Sequence, residues 1–115
     1  MALFTKHTKG LLEDTEEIVL VPKSGAGANI VTMFRLSNLD TESITFSLRV
    51  HDENKLGEDD EYVKVIPDTT LAASEYITHY GPMIALSGSS KLVIELATAV
   101  TTNQPQYQVI YVEES

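Results

Sequence analysis

A chain of 115 residues with eight Lys and Arg against seventeen Asp and Glu carries a formal charge of −9, which argues against nucleic-acid phosphates and anionic membrane surfaces as partners. That length suits one domain burying roughly 65% of its unfolded surface, and 43% hydrophobic residues with 22% charged is a globular composition. The absence of cysteine removes disulfides and thiolate metal sites, and no stretch approaches the run of about 20 apolar residues that a membrane helix needs.

Residues 1–15 open with Met1-Ala2-Leu3-Phe4 and turn polar. They read as an N-terminal arm, or a short first strand, ahead of a single domain over 16–115. MALFTKHTKG lacks the apolar run of a signal peptide, so the expectation is synthesis in the cytoplasm without secretion. EIVLVP at 17–22 reads as a strand stopped by Pro22, which cannot donate to a ladder. KSGAGAN at 23–29 reads as a loop. A strand follows it and no Gly-Lys-Ser/Thr occurs, so a phosphate cradle is not expected.

From 30 to 50 the chain runs IVTMFRLSNLDTESITFSLRV. Ile30, Thr32, Phe34 and Leu36 fall on one face, with Val31, Met33, Arg35 and Ser37 on the other. Ile44, Phe46, Leu48 and Val50 then oppose Thr45, Ser47, Arg49 and His51. Period two over both runs predicts half-buried antiparallel strands. The intervening NLDTES has the Asn, Asp and Ser that bond their own backbone in turns. The segment therefore reads as a β-hairpin with Phe34 and Phe46 in the core.

HDENKLGEDDE at 51–61 is a charged loop, and YVKVIP at 62–67 is a strand ended by Pro67. Residues 68–86 hold two extended pieces around Ala73-Ser74. SGSS at 87–90 is a turn. KLVIELATAV at 91–100 alternates, with Leu92, Ile94 and Leu96 on one face. TTNQP is a turn, and QYQVIYVEE at 106–114 is the last strand, with Tyr107, Val109 and Tyr111 to one side. Seven or eight short strands spaced about ten residues apart, with no amphipathic helix, predict an all-β protein. The expected form is an antiparallel β-sandwich or a jelly-roll-like barrel.

Chemistry is sparse. The loop at 51–61 offers oxygens of the kind calcium prefers, with Asp52, Asn54, Asp59 and Asp60 as candidate ligands. Asp52, Asn54 and Gly57 match three slots of an EF-hand loop, but Leu56 fills a ligand slot and Val63 stands where the Glu should be. A solvated loop is the competing reading. His7, His51 and His79 lack metal-site spacing, and no Gly-x-Ser-x-Gly elbow occurs. No catalytic residue, enzyme activity or cofactor is implied. Several strands carry apolar residues on both faces: Val31 and Met33, Val93, and Ile110 and Val112 lie opposite the expected core sets. A solvated outer face should be polar, so these positions call for a cover. The five tyrosines suit either sheet edges or a subunit interface.

Ile30-Val31-Thr32, Leu36-Ser37-Asn38, Glu42-Ser43-Ile44, Ile66-Pro67, Leu71-Ala72-Ala73-Ser74-Glu75-Tyr76 and Tyr111-Val112-Glu113-Glu114, taken in this order, resemble stretches of small tailed-bacteriophage virion proteins. The resemblance covers roughly residues 17–114 and implies a β-sandwich structural protein of the virion. Its implied role is capsid decoration (cement), with a neck, head–tail or tail-fibre-anchoring component as the alternative. The implied partners are the major coat protein or other virion proteins and further copies of the chain, as a dimer or trimer. On that reading Leu3, Phe4, Val31, Met33, Tyr76, Tyr80, Val93, Ile110 and Val112 are the contact residues. A calcium- or carbohydrate-binding sandwich module is the reading from another class.

Overall fold

Each alternating run of the sequence becomes a strand, because period-two patterning lets one face of a pleated strand be buried while the other stays out. The computed structural model describes residues 3–24, 27–100 and 102–114, with the backbone alone described at Pro82 and Met83. Among the described residues there are eight strands: β1 (Leu3–Leu11), β2 (Ile18–Val21), β3 (Asn29–Ser37), β4 (Ile44–Asp52), β5 (Tyr62–Leu71), β6 (Tyr76–Leu86), β7 (Ser90–Leu96) and β8 (Gln106–Glu114). They form two four-stranded sheets, ordered β1-β8-β3-β6 and β2-β7-β4-β5. All pairings are antiparallel.

The pairing is nested. The first strand joins the last, β2 joins β7, β3 joins β6 and β4 joins β5. A long hairpin rolled onto itself gives this arrangement, which is the two-sheet jelly roll. Of the two expected architectures, the chain adopts a sandwich with jelly-roll strand order.

The inner faces meet in one core. Phe34 of β3 and Phe46 of β4 are both buried, with ring centroids 6.2 Å apart and planes tilted by 39°. Leu20, Leu36, Leu48, Leu92, Ile94, Leu96 and Val109 fill the space around them. Each such side chain contributes about 1.5–3 kcal/mol on full burial.

Three expectations need correction. Residues 30–50 are strands, yet they are not a hairpin. β3 pairs with β6 and β8, whereas β4 pairs with β5 and β7. Both strands bury their apolar faces, so they stack across the core instead of lying side by side. Alternation reveals which face is buried but not which strand is the neighbour.

The face assignment also changes within β3. The ladder to β8 slips between Val31 and Met33, where two steps along β3 meet one along β8 (Tyr111 to Ile110). Thr32 is the extra residue of this β-bulge, and its hydroxyl donates to the Ile110 carbonyl at 3.1 Å. The bulge turns Val31 into the core with no exposed surface and leaves Ile30 on the outer face. Val31 is thus not a contact residue.

Of the two readings of the N-terminal segment, arm or short first strand, residues 3–11 take the second, as strand β1 paired over nine residues with β8; residues 1 and 2 lie outside the described residues. Finally, β5 does not stop at Pro67 but continues to Leu71. It is an edge strand with irregular register between Phe46 and Leu48 of β4, so the missing N–H is tolerated.

The end of the sandwich where β3 crosses to β4 is fastened by two buried polar side chains. Asn38 is fully buried, and its amide nitrogen lies 3.0 Å from the Glu42 carbonyl and 3.1 Å from those of Leu71 and Ala72. Its Oδ1 accepts from the Asp40 N–H. Asp40 Oδ1 in turn accepts from the N–H groups of Thr41, Thr102 and Asn103. Two residues therefore tie the β3–β4, β5–β6 and β7–β8 connections together.

Candidate interaction surface

The two outer faces of the sandwich differ. Register places four rows across the first sheet. They are Thr5–Val112–Ile30–Ala85, His7–Ile110–Met33–Tyr80, Lys9–Gln108–Arg35–Thr78 and Leu11–Gln106–Ser37–Tyr76. Ile30, Met33, Ile110 and Val112 are half-buried, and Tyr80 is 79% exposed. From β8 across β3 to β6 the first two rows are therefore an apolar half-face that no other part of the described chain covers, bordered by Thr5 and His7 on β1.

The other two rows are polar. Arg35, Ser37, Gln106 and Gln108 line a depression of about 130 Å³. The Arg35 guanidinium lies over the exposed Tyr76 ring, 4.6 Å from its centroid, and its Nε is 3.5 Å from the Ser37 hydroxyl. Strand β1 borders the whole face as an edge. Leu3 and Phe4, at its start, are 61% and 49% exposed, although Phe4 shares the inner side with its ladder partner Glu113. Exposed apolar residues on an unpaired edge are the kind that invite another chain.

The second sheet covers much of its own outer face, with Val19 of β2 left 42% exposed at its border. Val93 points outward between Val19 of β2 and Arg49 of β4, yet it has no exposed surface. The Arg49 guanidinium is held 3.2 Å from both Glu17 and Glu95 and stacks 4.6 Å over the Tyr62 ring. Tyr62 also stacks flat on His51, with centroids 4.2 Å apart. Burial, with the Glu17 carboxylate beside it, pushes the Tyr62 phenol above its ordinary value. This charged and aromatic layer supplies the cover that Val93 calls for, so Val93 is not a contact residue.

The candidate metal ligands do not converge. Asp52 Oδ1 accepts from the Asn54 N–H and from the Ser89 hydroxyl, and Asp60 faces Lys55 at 3.4 Å. Among the described residues no group of three or more acidic or histidine side chains is placed to hold a metal ion. The loop instead closes through Glu61. Its carboxylate accepts from the Gly57 N–H at 3.0 Å and meets His51 Nε2 at 2.7 Å, and these bonds hold its pKa below the usual 4.5. A depressed carboxyl stabilises the fold above its unfolded pKa, and that stability is lost as pH falls through the folded value. Glu61→Gln should therefore flatten the acid limb of stability below about pH 4.5. Urea midpoints measured across that range check this. An unchanged acid limb in the variant would remove Glu61 from the account.

No protein-family model and no curated protein matches the chain. A chain in the structure of infectious bursal disease virus, Gx strain, superposes on 96% of this chain with a TM-score of 0.55 at 12% identity. The sandwich is a fold that a virus carries. This chain spans 32% of that neighbour, which is about a third of its length. A chain of the cyanophage Pam1 capsid asymmetric unit matches 97% of this chain and 85% of its own length, at 16% identity and a TM-score of 0.44. Likeness at these levels concerns the fold.

Period two had already put Met33, Arg35, Ile110 and Val112 on outer faces. It could not show that Arg35, Gln106 and Gln108 share one depression, because they are neighbours only through the β3–β8 ladder. Nor could it show the layer over Val93, whose members come from four separate segments.

Proposed function

We propose that the chain is a structural component of a phage virion: a capsid cement protein that seats the outer face of its first sheet on neighbouring coat subunits. The observation that carries this reading is the uncovered apolar half-face formed by Ile30, Met33, Ile110, Val112 and Tyr80, beside a second sheet whose outer face is largely covered by its own charged and aromatic side chains. The jelly-roll order supports it, since viral capsids are among the proteins built this way. The resemblance of the sequence to small phage virion proteins points in the same direction.

The energetics favour a bridging role. The four half-buried side chains would gain about 1 kcal/mol each on complete burial and the mostly exposed Tyr80 roughly 2 kcal/mol, against an association cost of about 4–15 kcal/mol. One copy held by this patch alone would bind weakly. Contacts to two coat subunits at once, or a dimer or trimer of the chain, would raise the effective affinity without new chemistry. The mechanism is mechanical: separating two coat subunits would then also require stripping the bridge.

The test is sedimentation of the purified protein with native heads and with isolated coat monomers. Co-sedimentation with heads and not with monomers is expected. Tyr80→Glu and Met33→Glu should each weaken binding by at least about tenfold, because a carboxylate enters an apolar contact. Melting temperature should barely move for Tyr80→Glu, whose side chain is mostly solvated. Absence of the wild-type protein from heads would overturn the reading. A copy number of about six or twelve per particle would move the protein to the neck or tail.

A further inference from the structure

Five of the eight Lys and Arg side chains face a carboxylate: Lys23, Arg49, Lys55, Lys64 and Lys91. All five belong to the second sheet and its connections. The other three, Lys6, Lys9 and Arg35, have no ion-pair partner among the described residues, and all three lie on the first sheet. The strands of the first sheet hold these three cations against two carboxylates, Glu113 and Glu114, and on its outer face Lys9 and Arg35 stand against Glu114 alone, a slight cationic excess in a chain of net charge −9. Lys9 and Arg35 flank Gln108 in one row of the outer face. Their backbones are two strand spacings apart, about 10 Å. Glu114 is the acidic residue on this face, and it sits at the far corner, paired with Leu3.

Arg35 is shaped for a ligand. Tyr76 supports one face of the guanidinium, and Ser37 lies near its Nε. Two carboxamides, Gln106 and Gln108, complete the wall of the depression. Directly across the ladder, the Thr78 hydroxyl is out of solvent and has no hydrogen-bond partner among the described residues. A planar, preoriented guanidinium beside amide donors is the arrangement that recognises a carboxylate through paired N–H···O bonds. A phosphate polymer would run past this small patch and meet the repulsion of the remaining acidic surface, whereas one or two carboxylates on a short segment need only the patch itself.

We propose that the Arg35 depression takes a carboxylate side chain from an acidic segment of the partner protein, and that Lys9 pairs with a second carboxylate of the same segment. The proposal rests on the reading of this face as the virion contact and names the chemistry of what it contacts. The apolar rows supply burial, and the cationic row fixes register by selecting a segment with correctly spaced acids.

The probe is a short capped peptide alternating Thr and Glu, with the same peptide carrying Gln for Glu as the control. Both are titrated into isotope-labelled protein and followed by NMR. The Glu peptide should shift the side-chain signals of Arg35, Gln106 and Gln108 and the backbone signals of the Lys9 row, with affinity falling as salt rises. The Gln peptide should leave them still. Arg35→Gln should weaken binding by about tenfold or more, and Gln108→Glu, which places a like charge in the depression, should do the same while the backbone fingerprint stays folded. Equal binding of both peptides, or undiminished binding by both variants, would overturn the proposal. Head sedimentation separates the two levels. If wild type fails to bind heads, the cement reading falls. If wild type, Arg35→Gln and Gln108→Glu all bind heads equally well, that reading stands and the carboxylate pairing falls.

Discussion

Phe34→Ala should lower the unfolding free energy by about 3–5 kcal/mol, the usual cost of deleting a buried aromatic ring. Phe34 is fully buried on β3, and its ring meets Phe46 from the other sheet at 6.2 Å. These two rings join the layers at the centre of the sandwich. The cost is a large part of the 5–15 kcal/mol that a domain commonly has. For a chain of this length it corresponds to a drop in melting temperature of roughly 10–20 °C. Urea and thermal unfolding of Phe34→Ala, Phe46→Ala and the double variant measure it. The double variant should lose about 0.5–1.5 kcal/mol less than the sum, because the ring pair is counted in both single variants. A Phe34→Ala protein within about 1 kcal/mol of wild type would mean that the sheets do not pack through this ring.

Asn38→Ala should cost about 2–4 kcal/mol, although it removes only a few atoms. The amide donates toward three carbonyls from two places in the chain, Glu42 and the consecutive Leu71 and Ala72, and accepts from the Asp40 N–H. With two N–H groups for three acceptors, at least one bond is shared. Removing the amide strands buried polar groups, each worth about 1–3 kcal/mol. The bond to Leu71 is the buried one, and those to Glu42 and Ala72 are partly reached by water, which keeps the total moderate. Asn38→Asp discriminates amide chemistry from simple packing. It keeps the size but turns a carboxylate oxygen toward three carbonyls, so at neutral pH it should be at least as damaging as alanine. Thermal melts of both variants provide the check. If Asn38→Asp matched wild type, the amide would not be fastening these connections.

Much of the fold was legible. Period two marked nearly every strand and the core set Phe34, Phe46, Leu92, Ile94 and Val109. What escaped was pairing. A strand's alternation is the same whether its partner is next in sequence or on the opposite side of a core, so β3 and β4 read as neighbours. The bulge at Thr32 escaped because one inserted residue leaves no compositional trace, yet it exchanged Ile30 and Val31 between faces. Asn38 and Asp40 were read as turn formers, which they are. Their longer reach, to Leu71, Ala72, Thr102 and Asn103, exists only once the connections come together. The candidate surface was half legible. Met33, Ile110 and Val112 fell on outer faces by parity, whereas Lys9 and Arg35, 26 positions apart, became one row only through β8.

The nested pairing also favours one order of assembly, through the length of chain each pair must close. β4 and β5 join through a short connection, whereas β1 finds its partner only in β8, at the far end of the sequence. Loop-closure entropy penalises the outermost pair most, so the roll should zip outward from its innermost hairpin. β8, the last strand in sequence, lies inside the first sheet between β1 and β3. Until it arrives, β1 has no ladder to join and β3 has an open flank. The half-finished molecule thus displays two sticky edges that the finished one hides, and its most vulnerable moment comes just before its final strand slots in.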